Sequence, residues 1–209
     1  MKMGLTHNLA KQLRQPEGLL GRFVGYLMNR TNREAIDWTV GLLDIKPSDH
    51  VLEVGFGPGL AIEQVAKLSS SGRVVGIDFS KEMVKQASVR NAAAIAAGRV
   101  ELKYGDASAL PLGKDSFDKV FAINVIYFWE NPISTLTEMR RVVKVGGRLV
   151  LYMVSKQDLA KMKSTRTGVF TTYTNEQAVQ WLTQAGFNRV QFKTKAEKAR
   201  TGVCVLAEK

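Results

Sequence analysis

The chain has 209 residues, 45% apolar and 23% charged, which suits one domain with a three-layer core and leaves no room for a separate substrate domain. No apolar run approaches the ~18 residues of a membrane span, Met1–Asn8 lacks the apolar core of a signal peptide, and the single cysteine, Cys204, excludes disulfides and all-cysteine metal sites. A cytoplasmic protein is therefore expected. The net charge of +11 is uneven: residues 140–209 carry fourteen Lys and Arg against Asp158, Glu176, Glu197 and Glu208, which fits either an anionic partner or a solvated basic surface.

In chain order, Leu5, Leu9 and Leu13, then Leu19, Leu20, Phe23, Val24, Leu27 and Met28, recur at helical intervals on either side of the breaker Gln15-Pro16-Glu17-Gly18. Arg14, Arg22 and Arg30 interleave with them, so residues 1–30 read as a basic amphipathic extension, and such a segment also suits an anionic bilayer surface. Thr31-Asn32-Arg33-Glu34 has capping-box spacing and predicts a helix through Ile36, Val40 and Leu43. Val51–Val54 predicts a buried strand, and Gly55, Gly57 and Gly59 follow it as G-x-G-x-G, with Glu53 two residues ahead of the first glycine. Strand, glycine turn and helix bring backbone close to a nucleotide, because a side chain in the turn would block the approach. The spacing is not the G-x-G-x-x-G of dinucleotide enzymes, which counts against a nicotinamide oxidoreductase.

Arg73–Asp78 predicts a second buried strand ending in an acid 19 residues beyond Gly59. A carboxylate there accepts both hydroxyls of a ribose lying over the glycine turn, in charge-assisted bonds of about 1.5–3 kcal/mol each. Ser80 predicts the N-cap of a helix over Lys81–Ala97 that stops at Gly98. Tyr104-Gly105-Asp106-Ala107 closes a third strand with an acid placed to meet an adenine amino group.

These motifs, in this order, resemble the class I S-adenosylmethionine-dependent methyltransferases over residues 32–207. The resemblance implies an α/β three-layer, Rossmann-like fold with a seven-stranded, mostly parallel sheet and an antiparallel C-terminal strand. It implies a single methyltransferase domain over 1–209, with 1–30 as helical lid or extension and 31–209 as cofactor-binding core. The cofactor it implies is S-adenosyl-L-methionine, held by Glu53, Gly55, Phe56, Gly57, Gly59, Asp78, Phe79, Met83, Asp106, Ala107 and Asn124. Phe79 and Met83 also read as core residues.

Ser116–Asn124 predicts the fourth strand, with Asn124 at its carboxyl end, where open α/β sheets bind ligands. The aromatic run Tyr127-Phe128-Trp129 after it would wall a substrate pocket, contact a sulfonium through its ring faces, or pack the next helix. Asn124-Val125-Ile126-Tyr127 is not the Asn/Asp-Pro-Pro-Tyr of amino-methylating enzymes, and no Pro-Cys nucleophile occurs. Ser134–Lys144 predicts a helix, Val145-Gly146-Gly147 its end, and Arg148–Val154 the fifth strand. Residues 155–173 form a long basic connection, expected to face the lid and help define the substrate. Thr174 and Gln177 repeat the capping-box logic for a helix to Ala185, and strands near 188–194 and 201–207 complete the sheet as a hairpin.

The acceptor is expected to be a small molecule, with Tyr26, Tyr127 and Arg166 as candidate substrate contacts; a lipid or quinone at a membrane surface, or RNA, are the alternatives. A non-catalytic cofactor-binding protein fits less well. Methyl transfer from a sulfonium needs positioning more than acid–base help. Of His7, Tyr26, Tyr127, Glu130 and Tyr152, none is selected as a base by its spacing. Two histidines without an acidic partner cluster give no reason to expect a metal. The oligomeric state is not legible.

Overall fold

The computed structural model describes residues 2–209, and their side chains from Thr6 onward; the side chain of Leu5 lies outside the described residues. Seven strands form one sheet in the order β3-β2-β1-β4-β5-β7-β6. They are β1 (His50–Val54), β2 (Arg73–Asp78), β3 (Val100–Tyr104), β4 (Phe117–Ile123), β5 (Val143–Val154), β6 (Asn188–Ala196) and β7 (Thr201–Glu208). The first five are mutually parallel, and β7 runs antiparallel between β5 and β6. The central strands read as continuous apolar runs because both faces are covered, and Leu52, Val120, Phe121, Leu149 and Tyr152 are fully buried.

The crossovers dictate the layers. The connection β1 to β2 steps one way from the centre through α4 (Leu60–Leu68), and β4 to β5 steps the other way through α7 (Pro132–Val142). Right-handed crossovers then put these helices on opposite faces. Helix α3 (Arg33–Leu43), α4 and α5 (Lys81–Arg90) pack together as one layer, and α7 packs with α9 (Asn175–Gln184) as the other. A crevice opens where β1 and β4 lie side by side and their connections diverge, at the carboxyl ends of the strands.

Two further helices precede this unit: α1 (Lys2–Arg14) and α2 (Gly18–Thr31). Helix α2 lies across α5, with Gly21, Val24 and Gly25 buried, and a Cβ on Gly25 would run into the Gln86 side chain. Helix α1 packs on the 3-10 turn Lys163–Thr167. Residues 155–173 are thus not an open loop: α8 (Lys156–Lys161) and that turn occupy them, beneath the N-terminal helix as the sequence leads one to expect.

Helix α7 starts and ends two residues earlier than expected, and at three other joints the difference has a visible cause. Thr31 does not cap α3: α2 runs on to Thr31, whose hydroxyl donates to Leu27 O at 3.1 Å, and Asn32 alone separates the two helices. The helix expected over Lys81–Ala97 breaks at Asn91, whose amide donates to Gly59 O (3.1 Å) and Ala87 O (2.9 Å), so the short helix α6 (Ala92–Ala96) starts afresh. Strand β5 begins at Val143 rather than Arg148, because Val143 pairs with Phe117 before the register shifts at the glycine pair. The Ser80 and Thr174 caps form as expected, the latter with a reciprocal Gln177 bond.

Candidate active site

The site grows out of the turn between β1 and α4. Gly55, Gly57 and Gly59 have φ of 76°, 52° and 79°, a region costly to residues that carry a Cβ. A Cβ on Gly55 would also overlap the Val125 side chain, whereas one on Gly57 would meet only Met28 Cε at 3.6 Å. The first glycine is therefore required by packing, and the second leaves backbone open to a ligand.

Asp78, at the end of β2, ties this turn to the next corner. Its carboxylate accepts the Gly57 N–H and the Ser80 N–H, each at 2.8 Å. Burial pushes its pKa up to about 6 in spite of these two bonds. Ser80 in turn donates its hydroxyl to Pro16 O (2.6 Å) and accepts the Met83 N–H (3.2 Å), while Gln15 donates to Phe79 O (3.3 Å). The breaker between α1 and α2 is thereby fastened to the same corner as the carboxylate. Asp106 holds Ser108 through its N–H and hydroxyl, both at 2.8 Å.

A cavity of about 310 Å³ lies against these groups, lined by Gly55, Asp78, Phe79, Gly105, Asp106 and Ala107 on the strand side. Val125, Phe128, Trp129, Asn131 and Thr135 close it opposite, and Arg14 of α1 meets Glu130 at its mouth, N to O 3.7 Å. Gly55 also borders a second, small cavity of about 30 Å³, shared by Glu53, Phe56, Gly57, Asn29 and Asn32. Glu53 is 2% exposed, its Oε2 has no hydrogen-bond partner, and burial together with the Asp78 charge holds its carboxyl well above the usual range. Asn29 Oδ1 is a second buried acceptor without a partner on the same cavity. Two orphaned acceptors call for a donor group, such as an ammonium, next to a nucleoside-sized space.

The remaining expected residues are distributed as follows. Phe56 is buried and packs beneath β2 against Gly76. Met83 is 1% exposed in the core and does not line the cavity at the strand ends. Asn124, held at φ 59°, lies behind Val125: its amide donates to Asn32 Oδ1 (3.2 Å) and its oxygen accepts the Tyr127 hydroxyl (3.2 Å). Tyr127 is drawn into the interior, where its hydroxyl also accepts the Val154 N–H and burial raises its pKa, so it does not wall the cavity. Tyr26 is exposed on α2, beside a different groove, and Arg166 is exposed with its guanidinium on Ala160 O. Neither reaches the cavity at the strand ends. Of the five bases considered, only Glu130 lines it; Tyr152 is buried with its hydroxyl on Glu197 (2.8 Å). Sequence reasoning missed Asn29 and the contact of Gln15, and did not single out Arg14, Val125, Ser108, Asn131 and Thr135 as lining residues. Only Val125, directly after Asn124, carried a signal, as the first residue beyond a site strand. Among the described residues, no three His, Cys, Asp or Glu side chains gather as a metal site.

Comparison with known proteins agrees with this fold. A family model described as a methyltransferase domain matches residues 52–151, from β1 to β5. The uncharacterized methyltransferase YdaC of Bacillus subtilis is 29% identical over 185 residues, covering 88% of this chain and 97% of that one. The ubiquinone/menaquinone biosynthesis C-methyltransferase UbiE of Geotalea daltonii is 33% identical over 136 residues, covering 63% of this chain and 55% of its own length. A SAM-dependent methyltransferase structure from Aquifex aeolicus superposes with a TM-score of 0.71 at 22% identity, covering 95% and 97% of the two chains. The chain belongs to the class I S-adenosylmethionine-dependent methyltransferases.

Proposed function

We propose that the protein transfers the methyl group of S-adenosylmethionine to a small-molecule acceptor admitted beneath its N-terminal helices. The observation that carries this reading is the closure of the strand ends by the α1–α2 segment, through Gln15 on Phe79, Pro16 on Ser80 and Met28 over Gly57. A roofed cavity suits a compact acceptor better than a polymer, which needs an open groove. On this reading residues 1–30 are the lid and 31–209 the cofactor-binding core of one domain. Asp78 would take the ribose, Asp106 and Ala107 the adenine, and Glu53 with Asn29 the cofactor's ammonium group.

The bound cofactor supplies a methyl group already activated on a sulfonium. What the chain adds is alignment for in-line displacement and exclusion of water; good alignment is worth roughly 7–11 kcal/mol of the barrier. Phe128 and Trp129 line the same cavity, where an aromatic ring can stabilise a positive charge.

The basic carboxyl-terminal third gives RNA little support. Eight of its fourteen cations (Arg141, Lys144, Arg148, Lys161, Arg189, Lys198, Arg200 and Lys209) sit in ion pairs with carboxylates. The name of the Geotalea relative supports a hydrophobic small acceptor. Incubation of cell extract with labelled S-adenosylmethionine tests the proposal. Label should appear in an organic-extractable small-molecule fraction, and label confined to precipitated RNA or protein would contradict it.

A further inference from the structure

The outer face of α2 is not used by the site, and it is apolar. At 100° per residue, Leu19, Leu20, Phe23, Tyr26 and Leu27 fall within one arc of about 120°, opposite the buried Gly21 and Gly25 and with the buried Val24 on its flank. Leu19 is 81% exposed, Phe23 58% and Tyr26 57%. Of the twelve large apolar side chains exposed among the described residues, these five and Leu9 all lie on α1 and α2. Single exposed apolar residues are ordinary, but half of them gathered in the first 27 residues is a patch. A helix merely resting on a domain would turn polar residues outward here.

The charge around the patch identifies what it fits. Residues 1–30 hold Lys2, Lys11, Arg14, Arg22 and Arg30 against the single acid Glu17. Arg30 falls inside the apolar arc and Arg22 at its edge. Tyr26 and Arg22 face a groove shared with Lys85, Val89 and Arg90, and the two acids of that groove, Glu63 and Glu82, are paired with Arg90 and Arg22. Apolar side chains with a cationic rim match the interface of an anionic bilayer, where the arc enters the acyl boundary and the cations meet phosphates. A second copy of this chain would bring two cationic rims together.

We propose that the α2 outer face docks on an anionic lipid bilayer, with the helix lying in the plane of the headgroups. The inner face of the same helix carries Met28 and Asn29 over the glycine turn, so the helix that borders the small cavity of Glu53 would be the helix held by the membrane. The proposal goes beyond the acceptor reading and stands on different residues.

Vesicle flotation of the full chain tests it, with phosphatidylcholine vesicles and with vesicles that also contain phosphatidylglycerol. The wild type should float with the anionic vesicles and not the neutral ones. The double variant Leu19→Gln/Phe23→Gln should lose this by at least about tenfold. S-adenosylhomocysteine affinity, unchanged in the variant, would show that it is folded. Absence of wild-type flotation on anionic vesicles would overturn the proposal. So would equal flotation of the variant, which would move binding to the basic carboxyl-terminal surface. A lipid-free dimer of the wild type that the two substitutions abolish would also overturn it, by assigning the face to a second copy.

Discussion

Asp78 and Glu53 are buried carboxyls whose ionisation costs the free protein stability. Burial pushes the Asp78 pKa up to about 6 from an ordinary 3.8, and it pushes Glu53 the same way. The native state therefore binds protons more tightly than the unfolded chain. The Asp78 contribution to stability is full below about pH 4 and is lost as pH rises through about 6, on the order of 2–3 kcal/mol. Groups shifted down, such as Asp118 with Lys144, act at lower pH, because they are already ionised in both states above the carboxylate range. The Tm of the free protein should thus fall between about pH 5 and pH 7.5; a rise over that window would contradict the assignment. Glu53→Gln should raise the Tm at about pH 8 and weaken S-adenosylhomocysteine binding by about tenfold, or about 1.4 kcal/mol. Asn29→Leu separates recognition from packing. It should weaken S-adenosylhomocysteine but leave 5′-methylthioadenosine, which lacks the amino-acid end, bound as before. Equal loss for both ligands would make Asn29 structural.

Secondary-structure elements were legible where local chemistry decides them. Ser80 and Thr174 cap helices as their spacing implies, and the three glycines adopt the backbone angles the motif requires. Boundaries were misread where a distant partner decides. Asn91 breaks its helix because Gly59 O, 32 residues away, takes its amide, and Thr31 yields the joint to Asn32, which serves Asn124 and Arg200. Tyr127 turns away from the cavity for the same reason, since its hydroxyl is claimed by Asn124 and by β5. Ser80→Ala removes both a cap and the tie to Pro16. It should cost about 1–2 kcal/mol in urea unfolding and speed hydrogen exchange in residues 15–31. Stability loss without faster exchange there would mean that the lid is held elsewhere. Gly55→Ala should destabilise more than Gly57→Ala, because only the first Cβ overlaps Val125; the reverse order would contradict the packing argument.

At the scale of the molecule, the order of motifs along the chain carried the family resemblance that implies the seven-stranded sheet, because three strand ends bear their own chemistry at Gly55, Asp78 and Asp106. The roof was not legible in detail: periodicity shows that residues 1–30 are amphipathic, but not which face is buried. The structure buries the face with Gly21 and Gly25 and leaves the leucines outside, the opposite of what hydrophobicity alone would choose. The most direct test of the account is titration calorimetry with S-adenosylhomocysteine on wild type and Asp78→Ala, with NAD as control. The account predicts binding to the wild type, none of NAD, and a loss of about 1.5–3 kcal/mol in a folded Asp78→Ala protein. Wild-type-like affinity in that variant would contradict the placement of the cofactor across the ends of β1 and β2.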